Sequence, residues 1–170
     1  MPWTAPPTFT PGQVVTATDL NTYLRDNPSY LVARPGQSIK RDNGAAYTTT
    51  SDVMTDIDGT NLSITLVMAG SAVLVSFSAM INQSGTPQVP RFDFTIDGVL
   101  WSAATRGILF HLENSQYWDI GYSYTVLVTG LTPGTHVFKP QWRRNAASGT
   151  CSLAAQASSS LLLFSVQEVA

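Results

Sequence analysis

The feature that most limits this chain is a period of two. Leu62, Ile64, Leu66 and Met68 alternate with Ser63, Thr65 and Val67, and Val73, Val75, Phe77, Ala79 and Ile81 take every second place of the next run. Such spacing puts successive side chains on opposite faces of an extended chain, whereas a helix needs about 3.6 residues per turn. The pattern returns at Phe92, Phe94 and Ile96, at Ile108, Phe110 and Leu112, and at Tyr122, Tyr124, Val126 and Val128. It returns again at His136, Phe138, Pro140 and Trp142 and at Leu153, Ala155 and Ala157. With Ser38–Arg41, Tyr47–Ile57 and the run from Leu161 to Val169, roughly eight to ten short strands are predicted. Asp97-Gly98, Thr132-Pro133-Gly134 and Ser148-Gly149 supply turns between them. No helical pattern interrupts these runs, so the prediction is an all-β antiparallel sandwich or barrel over residues 36–170. Composition agrees. Charged residues make up 12% of the chain, against roughly 25% in an ordinary domain. Ser, Thr and Gly stand where Lys and Glu would populate exposed helices.

Residues 1–35 read differently. Pro2, Pro6, Pro7 and Pro11 fix the backbone and remove amide donors, so this stretch is extended and cannot enter a sheet interior. It nevertheless carries Trp3 and Phe9, large rings with no local core. Two readings stand: the rings pack back on the body, or they anchor the arm on another protein, as aromatic hot spots do. A short helix follows. Thr16-Ala17-Thr18-Asp19 offers an N-cap, Leu20, Tyr23 and Leu24 form one apolar stripe, and Asn27-Pro28 is expected to end the helix. A helix this short is marginal alone and must dock. Tyr30 and Leu31 extend its apolar surface, and Arg34-Pro35-Gly36 separates arm from body.

Several strands lack polar alternation. Ala72-Val73-Leu74-Val75 is apolar on both faces, and so is the final run. There Leu161, Leu163 and Ser165 share one face, and Leu162, Phe164 and Val166 share the other. A two-sheet sandwich buries one face of each strand, so the second face calls for a further layer, most simply a symmetric neighbour. Periodicity alone leaves open which face meets that neighbour.

No catalytic constellation stands out. His111 and His136 sit singly within strand patterns, no Gly-x-Ser-x-Gly elbow occurs, and Cys151 has no CxxC partner and reads as a small core residue. The sole cysteine excludes an internal disulfide. Asp56-Ile57-Asp58-Gly59-Thr60-Asn61 opens like a calcium loop, but Val67 stands where such a loop needs its bidentate Glu, so a turn is expected. Asp93 or Asp97 with Glu113 is the one candidate carboxylate pair for sugar cleavage, and Asp97-Gly98 reads first as a hairpin turn. Arg143-Arg144 beside Trp142 reads as a solvated strand end, with an interface role as the alternative. No cofactor and no metal are expected. The net charge of −2 gives no basic excess for nucleic acid. Apolar runs are far short of the roughly 20 residues of a membrane span. Met1–Pro7 carries no positive charge and no apolar stretch and does not read as a signal peptide.

Two stretches carry a resemblance. Trp3-Thr4-x-Pro6, Phe9-x-x-Gly12-x-Val14-Val15-Thr16-Ala17, Leu20-Asn21 and Leu24-Arg25-Asp26-Asn27 together resemble a segment that opens many tailed-bacteriophage virion proteins, over about the first 31 residues. The pattern departs at Pro28, where the helix would otherwise run on. More loosely, Gly130–Phe138, Gln141-Trp142-Arg143, Gly149-Thr150 and Phe164–Val169 are similar to the jelly-roll domains of phage fibres, which look like trimeric tumour-necrosis-factor and C1q domains. The resemblance implies a jelly-roll sandwich preceded by an extended arm. It implies attachment to the particle through Trp3, Phe9, Val14, Val15, Leu20, Tyr23, Leu24, Tyr30 and Leu31. It also places the last strand near a threefold axis, which assigns Leu161, Leu162, Leu163, Phe164 and Val166 to a trimer interface. The expected protein is a non-enzymatic phage structural protein on the virion surface, made in the host cytoplasm. Its partners would be two further copies and the major capsid protein or a tail protein. A chain of 170 residues leaves no room for a fibre shaft, which favours a capsid decoration protein over a tail-tip or fibre protein that binds a host surface receptor. A glycan-cleaving enzyme is the remaining alternative.

Overall fold

The computed structural model describes residues 4–5, 7–32, 34–42, 44, 46–82, 90–102, 107–110, 120–145, 149–155 and 161–169. Among them the strands are β1 (Gly36–Arg41), β2 (Tyr47–Thr49), β3 (Thr55–Asp56), β4 (Ile64–Met68), β5 (Ala72–Asn82) and β6 (Pro90–Ile96). Then follow β7 (Val99–Leu100), β8 (Leu109–Phe110), β9 (Ile120–Thr129), β10 (Gly134–Arg144), β11 (Cys151–Ala154) and β12 (Leu162–Val169). All pairings are antiparallel.

One sheet runs β1-β12-β5-β9, and β2-β11 continues its outer rows further along β5. In the other, β3 and β4 share one edge of β10, β6 takes the opposite edge, and β7 and β8 flank β6. Following the chain, β1 and β2 lie in the first sheet, β3 and β4 in the second, β5 in the first, β6 to β8 in the second, β9 in the first, β10 in the second, and β11 and β12 in the first. This repeated crossing between two antiparallel sheets is the jelly-roll topology. The predicted all-β sandwich is the observed fold.

The alternating residues become the core. Leu62, Ile64, Leu66 and Met68, then Val73, Val75, Phe77, Ala79 and Ile81, are buried between the sheets, as are Phe138 and Trp142 on β10. Phe77 lies with its ring centroid 5.5 Å from Tyr124 and 5.6 Å from Phe92, so aromatic contacts bridge β5, β9 and β6. Burying each such ring contributes about 1.5–3 kcal/mol. Strand β6 departs from simple alternation: Arg91, Asp93 and Thr95 are buried as well as Phe92 and Phe94. Asp93 accepts from Ser102 Oγ and from the Phe94 amide, and burial pushes its carboxyl above the usual range. Of the predicted run Ile108, Phe110 and Leu112, Leu109–Phe110 forms a short strand, while Leu112, like Ser148 and Ala157, lies outside the described residues.

The helix is longer than predicted. Segments α1 (Ala17–Leu20) and α2 (Asn27–Val32) are joined through a π-helical turn over Asn21–Asp26. Pro28 therefore sits inside the helical stretch and does not stop it. The wider turn receives the Asn27 amide on the Thr22 carbonyl, and Ser29 Oγ donates to the Arg25 carbonyl at 2.7 Å. Loosened pairing ahead of the proline gives room to a ring that would clash in a regular α-helix.

At one end of the sandwich, His136 clasps two turns. Its Nδ1 lies 2.7 Å from Asp97 Oδ2 and its Nε2 lies 2.8 Å from the Thr132 carbonyl. Asp97 has φ of 53° and Gly98 of 82°, as the predicted tight hairpin requires, and Asp97 Oδ1 also accepts the Val137 amide. Two acceptors facing one imidazole favour its doubly protonated form, so the Thr132 carbonyl first and the Asp97 carboxylate second raise the His136 pKa. The Val137 amide, with His136, holds Asp97 below its ordinary value. The histidine's contribution to stability is full below the ordinary value of 6.5 and is lost as pH rises through the raised folded value. That of Asp97 is present above 3.8 and is lost as pH falls through its lowered folded value. Thermal denaturation from about pH 5.5 to 8.5 should show stability declining with pH, and His136→Gln should flatten that decline. An equally steep decline in the variant would assign the effect to other groups.

Candidate functional site

The arm is built from three local devices. Pro11 and Gly12 occupy the centre of a tight turn in which the Gln13 amide donates to the Thr10 carbonyl at 3.0 Å, and Gly12 adopts φ of 87° that a type II turn demands. Thr16 and Asp19 form a reciprocal capping box, with Asp19 N donating to Thr16 Oγ1 at 3.2 Å and Thr16 N to Asp19 Oδ2 at 2.9 Å. The Thr16 hydroxyl, donating to Asp19 Oδ2 at 2.7 Å, and then the Thr16 amide hold the Asp19 carboxyl below its usual range. The third device is Asn27. Its Oδ1 accepts the Thr4 amide at 3.0 Å and its Nδ2 donates to the Thr4 carbonyl at 2.8 Å, which ties the extended segment to the helix.

On this framework the apolar side chains face outward. Val14 is 82% exposed and Leu24 72%, with Phe9, Val15 and Leu20 also exposed and Tyr23 half-buried. Trp3 lies outside the described residues, and so do the side chains of Tyr30 and Leu31, whose backbone belongs to α2. The arm meets the body at its root, where the Glu168 amide donates to the Pro35 carbonyl at 2.9 Å and Gln167 Nε2 donates to the carbonyls of Arg34 and Pro35.

A second surface lies on the outer face of the β1-β12-β5-β9 sheet. The structure divides the five residues assigned to the trimer interface. Leu162, Phe164 and Val166 are fully buried between the sheets, whereas Leu161 and Leu163 are exposed. Only those two are left for a neighbour, because alternate side chains of one strand cannot reach the same face. Around Leu163 the cross-strand rows read Ser38-Ser165-Ser76-Thr125 and Lys40-Leu163-Ser78-Ser123, and Leu74 pairs with Leu127. Lys40 is the one charge in these rows, and it pairs with Asp42 at 2.9 Å.

The remaining candidates for chemistry are occupied structurally. Asp97 is held by His136 and Val137, and Asp93 is buried beneath Ser102, while His111 and Glu113 lie outside the described residues. Asp58 closes its own turn by accepting from the amides of Thr60 and Asn61 at 3.1 and 2.8 Å. Cys151 is buried, which pushes its thiol up to about 11. Arg143 and Arg144 donate to the carbonyls of Asp52 and Gly149. Among the described residues no group of three His, Cys, Asp or Glu is placed to hold a metal ion, and no helix is long and apolar enough to cross a membrane.

What the sequence reading missed is Asn27. It is read there as part of a helix stop, yet it is the buried polar residue of the arm, 2% exposed. The signal available was a small amide directly before a proline, and its partner 23 residues away could not be inferred from spacing.

No family model and no curated protein matches the chain. Among solved structures, it is similar to the infectious bursal disease virus VP2 subviral particle, with TM-score 0.42 and 11% identity over 81% of this chain and 38% of that one. It is also similar to structures of the Gt strain of that virus, with TM-score 0.37 and 11% identity, and of the Gx strain, with TM-score 0.36 and 9% identity. Those two matches each cover 79% of this chain and 37% and 38% of the other chain. The chain thus spans well under half the length of each of these proteins.

Because the arm holds its shape through its own bonds, deleting Met1–Arg34 should leave a folded body. Circular dichroism and gel filtration of the deletion protein should match the full chain apart from the missing helix. An aggregated or unfolded product would place the arm in the core.

Proposed function

We propose that this chain is a non-enzymatic virion structural protein, and more narrowly a homotrimeric capsid decoration protein of a tailed phage that attaches through its arm. The observation that carries the reading is the set of apolar side chains at Phe9, Val14, Val15, Leu20 and Leu24, held outward on an arm ordered by its own hydrogen bonds. An arm that served only as a tether would gain nothing from exposing them, whereas anchors on a partner bury such groups. The resemblance of the first 31 or so residues to a segment that opens phage virion proteins supplies the identity of that partner, a capsid or tail protein of the same particle. The alternative within this reading is a tail-tip or fibre protein whose body binds a host receptor. Decoration requires hundreds of copies per virion and leaves the bare capsid less stable; a receptor binder is present in a few copies, and its free form blocks adsorption. Gel densitometry of purified virions separates the two, and absence of the protein from the particle would end both.

The trimer is supported by the outer face of the first sheet, where three exposed leucines, Leu127, Leu161 and Leu163, stand among serines and threonines with a single charge. Stacking that face on two neighbours would cover Leu161, Leu163 and Leu127 without burying an unpaired charge. Leu163→Asp should therefore keep the fold and lower the mass by light scattering from three subunits toward one. Phe164→Asp should unfold the body, because it buries an unpaired carboxylate at a cost of about 3–5 kcal/mol. A wild-type particle of one subunit mass at micromolar concentration would sink the trimer.

A further inference from the structure

We infer that Asn27 is a positioning residue that latches the extended N-terminal segment to the helix, so that the two present one preformed attachment surface. This rests on the attachment reading above and adds the group that organises it. An Asn amide carries a donor and an acceptor side by side, the same pair that the backbone N–H and C=O of one residue offer across an antiparallel bridge. Asn27 uses both on a single residue, its Oδ1 taking the Thr4 amide at 3.0 Å and its Nδ2 reaching the Thr4 carbonyl at 2.8 Å. The side chain is 2% exposed, so both of these bonds are made away from water.

The π-helical turn is what aims it. The Asn27 amide donates to the Thr22 carbonyl, one residue further back than in an α-helix. Such a turn carries one extra residue, and each residue rotates a helix by about 100°. A regular α-helix over the same span would swing the Asn27 side chain away from Thr4. The proline-rich segment cannot pair as a strand, so its backbone groups need a side-chain partner. Once latched, Phe9, Val14, Val15 and Leu20 are held in a fixed relation, and the partner need not pay the entropy of ordering a free chain.

Asparagine is the specific choice. Aspartate keeps the acceptor for the Thr4 amide but sets a carboxylate oxygen against the Thr4 carbonyl, and only its protonated form restores a donor. The test uses full-length protein with Asn27→Ala and Asn27→Asp, read first by amide hydrogen exchange in the free state. The Thr4 amide should exchange about tenfold more slowly in the wild type than in Asn27→Ala, with the body strands unchanged. The second reading is rebinding to virions that lack the protein. Both variants should lose about tenfold in affinity at pH 7.5 with light-scattering mass unaltered, and Asn27→Asp alone should recover toward wild type near pH 5. Equal Thr4 exchange in wild type and Asn27→Ala, or wild-type affinity in both variants, would overturn the latch. If the wild type itself fails to rebind, the attachment reading falls, while the exchange result still decides the latch.

Discussion

Strand β12 lies between β1 and β5, so the last strand of the sequence joins the first strand of the body to a central one. Its inner residues Leu162, Phe164 and Val166 are fully buried and meet the stripe of β5 that includes Val75 and Phe77. Near its end, Glu168 is buried and accepts the amides of Ala69 and Gly70, which ties the β4–β5 turn to the same strand. The Glu168 amide in turn fixes Pro35, the root of the arm. Core closure, turn geometry and arm position therefore depend on one strand that pairs across most of the sequence. Contacts of such high separation are slow to form, because loop closure must be paid before they reward it.

The arm follows a different logic. Its prolines prevent it from adding to either sheet. The protein holds it instead with polar bonds, a turn at Thr10–Gln13, a capping box at Thr16–Asp19 and the Asn27–Thr4 pair. Polar bonds order the chain without consuming apolar side chains, and those side chains are left for a partner. The body inverts the arrangement: most apolar residues are spent inside, and the outer face of the first sheet is surfaced with Ser and Thr around the exposed Leu127, Leu161 and Leu163.

The sequence by itself determined the strands, because a period of two is imposed by the pleat and survives whatever the strands pack against. It determined the Asp97-Gly98 hairpin and the Thr16–Asp19 cap for a similar reason, since both depend on neighbours within a few residues. The tertiary structure alone decided which face of β12 looks inward, because alternation is symmetric until a second sheet arrives to cover one side. It decided that β6 is buried on both faces, as Ser102 returns to Asp93 from beyond the hairpin. It decided, finally, that the helix passes through Pro28 and that Asn27 meets Thr4. A proline stops a regular helix on local grounds, and only a π-helical turn, together with a partner 23 residues away, lets this one continue.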